Sequence, residues 1–165
     1  MKLLKLTAFS LLLFSFLLTI SSCEKDAERD KVYVYSKSDL PMTGAQNVPI
    51  STATATGSIS VSYDKRKKWL NYTITWSGLT GAPTGIGIFG PAPVGYAALT
   101  PTGTLAPAQV TIATTGLQAA GTFTGSVLID DIKLRESDLL NHLYYVRITT
   151  AAAPAGAIRG QIKFQ

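Results

Sequence analysis

The chain has 165 residues, of which 15% are charged and 46% hydrophobic, with Gly, Pro, Ala and Thr plentiful. That length carries one domain with a core, and the composition excludes both a disordered polyelectrolyte and a helical bundle rich in Glu and Lys. The formal charge is +5, but Lys2 and Lys5 lie in a leader; without them 13 basic residues face 10 acidic ones, and a balance of +3 argues against nucleic acid as a partner, which calls for a clustered basic face.

Residues 1–22 place Lys2 and Lys5 before an apolar run from Leu6 to Ile20, followed by Ser21 and Ser22. This is the pattern of a secretory signal peptide, and the run is shorter than the roughly 20 residues that span a bilayer. Ile20-Ser21-Ser22-Cys23 resembles the bacterial lipobox, which directs a diacylglycerol onto the thiol before cleavage. Cys23 is the single cysteine of the chain. No internal disulfide or thiolate-based metal site is therefore possible within one chain, and lipid attachment at Cys23 is the role its position implies. Residues 23–31 continue with Glu24-Lys25-Asp26-Ala27-Glu28-Arg29-Asp30, a charged tether with no apolar periodicity. A lipid anchor of two or three acyl chains implies the membrane as a partner, with the outer membrane as the expected location and the domain either periplasmic or surface-exposed.

Residues 32–165 are expected to form one all-β domain. Residues 31–36 (KVYVYS) alternate and, lying next to the tether, read as an edge strand; residues 39–49 follow, punctuated by Pro41 and Gly44. Ile59, Val61 and Tyr63 alternate with serines, and Leu70, Tyr72, Ile74 and Trp76 alternate with Trp69, Asn71, Thr73 and Thr75, which predicts a hairpin of half-buried strands. Its tip carries Lys65, Arg66, Lys67 and Lys68. Such a run serves either as a patch for anionic groups or as a solvated turn that discourages edge pairing, and the lack of interleaved aromatics favours the second.

Residues 77–109 are dominated by Gly, Pro, Thr and Ala, with short strands expected around 86–89 and 96–99. Gly85, Gly87 and Gly90 spell G-x-G-x-x-G, but Pro91 and Pro93 follow where a dinucleotide site needs a helix. Residues 110–113 and 121–129 read as further strands. Beyond Asp130 and Asp131, Ser137 is expected to cap one helical turn that buries Leu139, Leu140 and Leu143. Asp130, Asp131, Glu136 and Asp138 lack the spacing of a calcium loop and read as exposed turn and helix-start carboxylates. His142, the sole histidine, has no second imidazole or thiol to work with. Residues 144–164 (YYVRITTAAAPAGAIRGQIKF) close the chain as two alternating, half-buried strands around an Ala/Pro/Gly turn, with Gly160 interrupting the second apolar row. Arg159 is expected to pair with a carboxylate or with strand-end carbonyls.

Four stretches together resemble the CHRD (chordin-type) domain family. Residues 40–49 (LPMTGAQNVP) resemble its opening L-x-G-x-x-E-V-P, with Asn47 in place of Glu; residues 70–81 resemble its L-x-Y strand ending in G-L; Phe89-Gly90-Pro91-Ala92 resembles H-G-P-A; and residues 145–161 resemble the closing Y-V-N-V-H-T and P-x-G-E-I-R-G-Q. The resemblance implies an antiparallel β-sandwich, Greek-key and immunoglobulin-like or similar to superoxide dismutase, with one short helical turn. It also implies that histidines of the family pattern, which together suggest a metal site, are replaced here by Gly87, Phe89 and Thr149, and the family Glu before I-R-G-Q by Ala157. No catalytic residue, cofactor or metal ligand is assigned. The chain is accordingly expected to be a non-enzymatic, lipid-anchored interaction or structural module of the cell envelope, with an envelope protein or a glycan as the possible partner. A glycan-binding face built from Tyr33, Tyr35, Trp69, Tyr96 and Tyr144 is the first alternative, and a metal-dependent enzyme on a dismutase-like scaffold the second.

Overall fold

The computed structural model describes residues 33–164. The expected signal peptide, Cys23 and the tether lie outside the described residues. Eight antiparallel strands follow in chain order: β1 (Val34–Thr43), β2 (Thr56–Asp64), β3 (Trp69–Ser77), β4 (Pro83–Phe89), β5 (Val110–Ala113), β6 (Gly121–Leu128), β7 (Tyr145–Thr150) and β8 (Ile158–Gln161). A 3-10 turn at Gly44–Gln46 and one helical turn, α1 (Glu136–Leu140), interrupt them. The all-β class read from the sequence is the class observed.

All eight strands belong to a single hydrogen-bonded sheet in the order β5-β4-β7-β8-β1-β2-β3-β6. The chain crosses between its halves after β3, β5 and β6, so consecutive strands do not simply meander. Inward side chains of both halves meet in one core: Ile59, Tyr63, Leu70 and Ile74 on one side, and Ile86, Val146, Ile148 and Ile158 on the other. Ile112 of β5 and Phe123 of β6, at the two ends of the strand order, pack on this same cluster, so the sheet is nearly closed around it. The hairpin of β2 and β3 is present with the predicted faces, and its register runs from Thr56 opposite Ser77 to Asp64 opposite Trp69.

The expectation of an edge strand at 31–36 holds only locally: residues 34–37 pair with β2 alone, but the strand they open continues into the sheet. β1 begins at Val34, runs through Pro41 and lies inside the strand order, with β2 along one side and β8 joined at Thr43 opposite Arg159. A register shift between Lys37 and Leu40, with Asp39 at φ 56°, is what lets it continue. Before the bulge Tyr35 points inward; after it Leu40 and Met42 do, so one extra residue reverses the phase of the alternation. Gly160 explains how β8 reaches the core there. A Cβ on it would stand 2.6 Å from Met42 Cγ and 2.9 Å from Ile59 Cδ1, so only glycine lets these strands approach.

Two further expectations fail. Residues 96–99 are not a strand, since that stretch contributes only the isolated bridge of Leu99 to Leu105. Ser137 lies within α1 instead of capping it; the cap position is Arg135, and the backbone N–H of Glu136 donates to Asp131 Oδ1 at 2.8 Å. Of the leucines expected beneath the turn, Leu139 is buried while Leu140 and Leu143 are partly covered.

Candidate functional site

The closing strands, with β4 beside them, present the largest concentration of buried polar chemistry among the described residues. Alternation turns Ile86, Ile88, Val146, Ile148 and Ile158 inward, which leaves Gly87, Phe89, Tyr145, Arg147, Arg159 and Gln161 on the outer face. An outer face is normally wet. Here it is covered by the loop at 90–109, whose small residues sit flat on it: Ala92 and Ala98 join Phe89 and Tyr145 in a second buried cluster, with Ala106 and Ala108 against it. β7 and β8 are therefore buried on both faces, not half-buried as the alternation predicts.

Two arginines lie in this layer as cross-strand partners. Arg159, 2% exposed, stacks with its guanidinium carbon 3.5 Å from the Tyr145 ring centre and donates from Nη1 to Tyr96 O at 2.6 Å and from Nη2 to Pro93 O at 3.4 Å and Gln161 Oε1 at 2.9 Å. Gln161 Nε2 in turn donates to Ala92 O at 3.1 Å and His142 O at 2.6 Å. Arg159 and Gln161 thus tie the covering loop and the α1 corner to the sheet. The carbonyls that Arg159 meets are those of the covering loop and not the strand-end carbonyls expected, and among the described residues no carboxylate joins them. Arg147, 7% exposed, stacks 3.9 Å over Phe89 and leaves its Nε buried without a hydrogen-bond partner. Burial pushes both guanidinium pKa values below their ordinary range; the charge of the Tyr145 phenol offsets this for both, and the Arg147 charge adds to it for Arg159.

A concavity of about 170 Å³ opens beside this layer, lined by Gly85, Gly87, Phe89, Ala108, Thr111 and Thr149. It brings together the three positions at which the resembled pattern carries histidines. The residues present do not fit a metal: Gly87 and Phe89 offer no side-chain donor atom, and the Thr149 hydroxyl is engaged with Thr84 Oγ1 at 3.0 Å and Gly85 O at 3.2 Å. Nor is there, among the described residues, a group of three His, Cys, Asp or Glu side chains placed to hold a metal ion. His142 is elsewhere, partly buried, with its ring 6.4 Å from that of Phe164; burial and the nearby Lys163 charge hold its pKa below the usual value. A larger depression of about 480 Å³ between residues 49–54 and 152–156 is lined by hydroxyls, methyls and backbone, with no titratable side chain.

The charged end of the β2–β3 hairpin is a solvated turn, as its lack of aromatics favours, but its charges have partners. Lys68 Nζ reaches Asp131 Oδ2 at 3.1 Å and Glu136 Oε2 at 2.5 Å, Lys65 faces Glu136 at 3.5 Å, and Lys67 faces Asp64 at 3.6 Å. Asp131 and Glu136 are thus ion-pair partners and not simply exposed turn carboxylates. Asp130 Oδ1 accepts three backbone N–H groups, from Ile132, Lys133 and Leu134, which holds its pKa below the usual carboxylate range. The aromatic rings named for a glycan face form no common strip: Tyr144 is buried, Tyr35 stacks toward Tyr63 and Phe164, and the exposed Trp69 and Tyr96 belong to β3 and to the loop over β7 and β8.

A family model described as CHRD domain matches residues 39–162. The chain belongs to the CHRD domain family. No curated protein and no solved structure matches it. In this CHRD domain the closing motif R-G-Q is read by the structure as fastening: Arg159 and Gln161 hold the covering loop, and Gly160 admits the core of β1 and β2. Sequence reasoning missed Arg147 as a buried group, because strand alternation alone places it in solvent. The signal that could have found it is the length and small-residue composition of 90–109, which suit a segment laid across a sheet face.

Proposed function

We propose that this CHRD domain serves as a lipid-anchored, non-catalytic module of the cell envelope, held at the outer membrane by acylated Cys23 and meeting an envelope component through its surface. The observation that carries the non-catalytic part is the destination of the motif's polar groups. Arg159 and Gln161 donate to carbonyls of the covering loop and of the α1 corner, so the side chains shared with the family pattern maintain shape and face no open site. The anchor rests on Ile20-Ser21-Ser22-Cys23 and on the charged residues that follow it.

The test is expression of the full chain in a Gram-negative host, with mass spectrometry of the mature N-terminus and fractionation of membranes. The expected result is a chain beginning at Cys23 and carrying its acyl groups, recovered in outer membranes, with Cys23→Ser released to the soluble fraction. Wild-type protein that is soluble with an unmodified Cys23 thiol overturns the anchor. Stoichiometric copper or zinc in the purified protein overturns the non-catalytic reading.

A further inference from the structure

At one end of the sheet the register lines up Val34, Asp64, Trp69 and Leu128 on four neighbouring strands, all on the outer face. The rest of that face is hydroxyl and amide: Ser36, Ser62, Asn71 and Ser126 form the next row, and Thr73 with Thr124 the one after. Apart from Asp64, which stands between Val34 and Trp69 and faces Lys67, the end row is apolar. Val34 is 53% exposed, Trp69 42% and Leu128 46%, and Ile132, in the turn that follows β6, is 82% exposed. Half of the large hydrophobic side chains most exposed among the described residues thus gather at this end. Strands about 4.8 Å apart make Val34 to Leu128 a row on the order of 15 Å long, with Ile132 four residues further along the chain from Leu128.

This is also the end at which the chain leaves the tether. Ten residues separate Cys23 from Val34, and even fully extended they reach roughly 35 Å. A domain acylated at Cys23 is held that close to the bilayer by the chain that leads into the apolar row. The charges around the row nearly cancel: residues 64–68 and 130–138 contain Lys65, Arg66, Lys67, Lys68, Lys133 and Arg135 against Asp64, Asp130, Asp131, Glu136 and Asp138. Several of these are paired with one another across the hairpin tip, as described above. Such an end neither needs an anionic surface nor is repelled by one.

We propose that the Val34–Trp69–Leu128–Ile132 strip is a membrane-docking surface, which seats the domain on the lipid bilayer that its own anchor enters. Docking is apolar and independent of lipid headgroup charge. It lays the strip at the level of the headgroup and acyl boundary, with Trp69, whose ring has an apolar body and a polar tip, at that depth. This inference rests on the lipid anchor proposed above.

The chain contains two tryptophans, and they report on different places. Trp76 is 3% exposed, with its indole N–H on Gln118 O at 2.9 Å, seven residues along β3 from Trp69. The full chain, purified in acylated form, is reconstituted into phosphatidylcholine vesicles with and without brominated acyl chains, and tryptophan emission is compared with that of Trp69→Phe. The expected result is a loss of at least about half of the Trp69 emission in brominated vesicles, absent in Trp69→Phe and unchanged when salt rises from about 0.1 to 1 M. Ile132→Asp and Leu128→Asp, both at exposed positions, are expected to keep the acyl anchor and lose the quenching. An acylated chain whose Trp69 emission is unaffected by bromine overturns the inference, as does blue-shifted emission without quenching, the sign of a protein or a second copy covering the strip. Quenching abolished by salt overturns its apolar basis. A chain with no acyl group on Cys23 instead overturns the anchor and the inference with it, so the two failures are told apart by the mass of the N-terminus.

Discussion

Arg147 and Arg159 form an internal comparison, because they are cross-strand partners of similar burial, each stacked on an aromatic ring, and differ in hydrogen bonding. Replacing each by Met keeps an unbranched stem against the ring and removes the charge. Arg159→Met loses donors to Tyr96 O, Pro93 O and Gln161 Oε1. Charge-assisted hydrogen bonds are each worth about 1.5–3 kcal/mol, and the longest of the three counts for little. Relief of a desolvated charge and of the repulsion from Arg147 offsets part of this, so a net loss of about 2–4 kcal/mol is expected. Arg147→Met loses only the ring contact, about 1–2 kcal/mol for a desolvated pair, and gains by removing a buried charge with an unpaired Nε. Its expected change lies within about 1 kcal/mol of zero. Urea unfolding followed by the near-ultraviolet signal of Tyr145 and its neighbours gives both midpoints at a common m-value. Equal losses in the two variants, or a larger loss for Arg147→Met, would refute the assignment of Arg159 as the residue that fastens the loop.

Gly160→Val puts methyl groups where Met42 and Ile59 already stand, and is expected to destabilise by about 1–3 kcal/mol in the same denaturation assay; Gly81→Ala, with open space at its Cβ, is expected to leave the midpoint unchanged or slightly raised. Stability should fall in alkali. Burial first, then the charge of Glu136, pushes the Tyr63 hydroxyl up to about 12 from an ordinary value of 10.0, so between these values the unfolded chain releases a proton that the folded one keeps, and unfolding is favoured as pH rises. Thermal melts across pH 9–12 should show this decline, with Tyr63→Phe flattening it; an identical alkaline profile in both proteins would sink the argument.

The family pattern and the strands beneath it were largely legible in the chain itself, for a local reason. In the β2–β3 hairpin the side-chain period of two and the paired runs on either side of residues 64–68 are properties of near neighbours, and they fix both register and buried face. The same is true of the glycine in R-G-Q, whose place within an apolar row already marks a close approach. Where the reading failed, the deciding contacts join segments far apart. The bulge at Lys37–Leu40 reverses the phase of β1, and its position is set by pairing with β2. Lys68 finds Asp131 and Glu136 more than sixty residues away, which turns a basic run into a nearly neutral end. Above all, alternation places Arg147 and Gln161 in water and gives no loop as the partner of Arg159, and only the laying of 90–109 across the sheet buries all three. Local sequence determines which way a strand's side chains point; what stands on the far side of each face is decided by the packing of the whole chain.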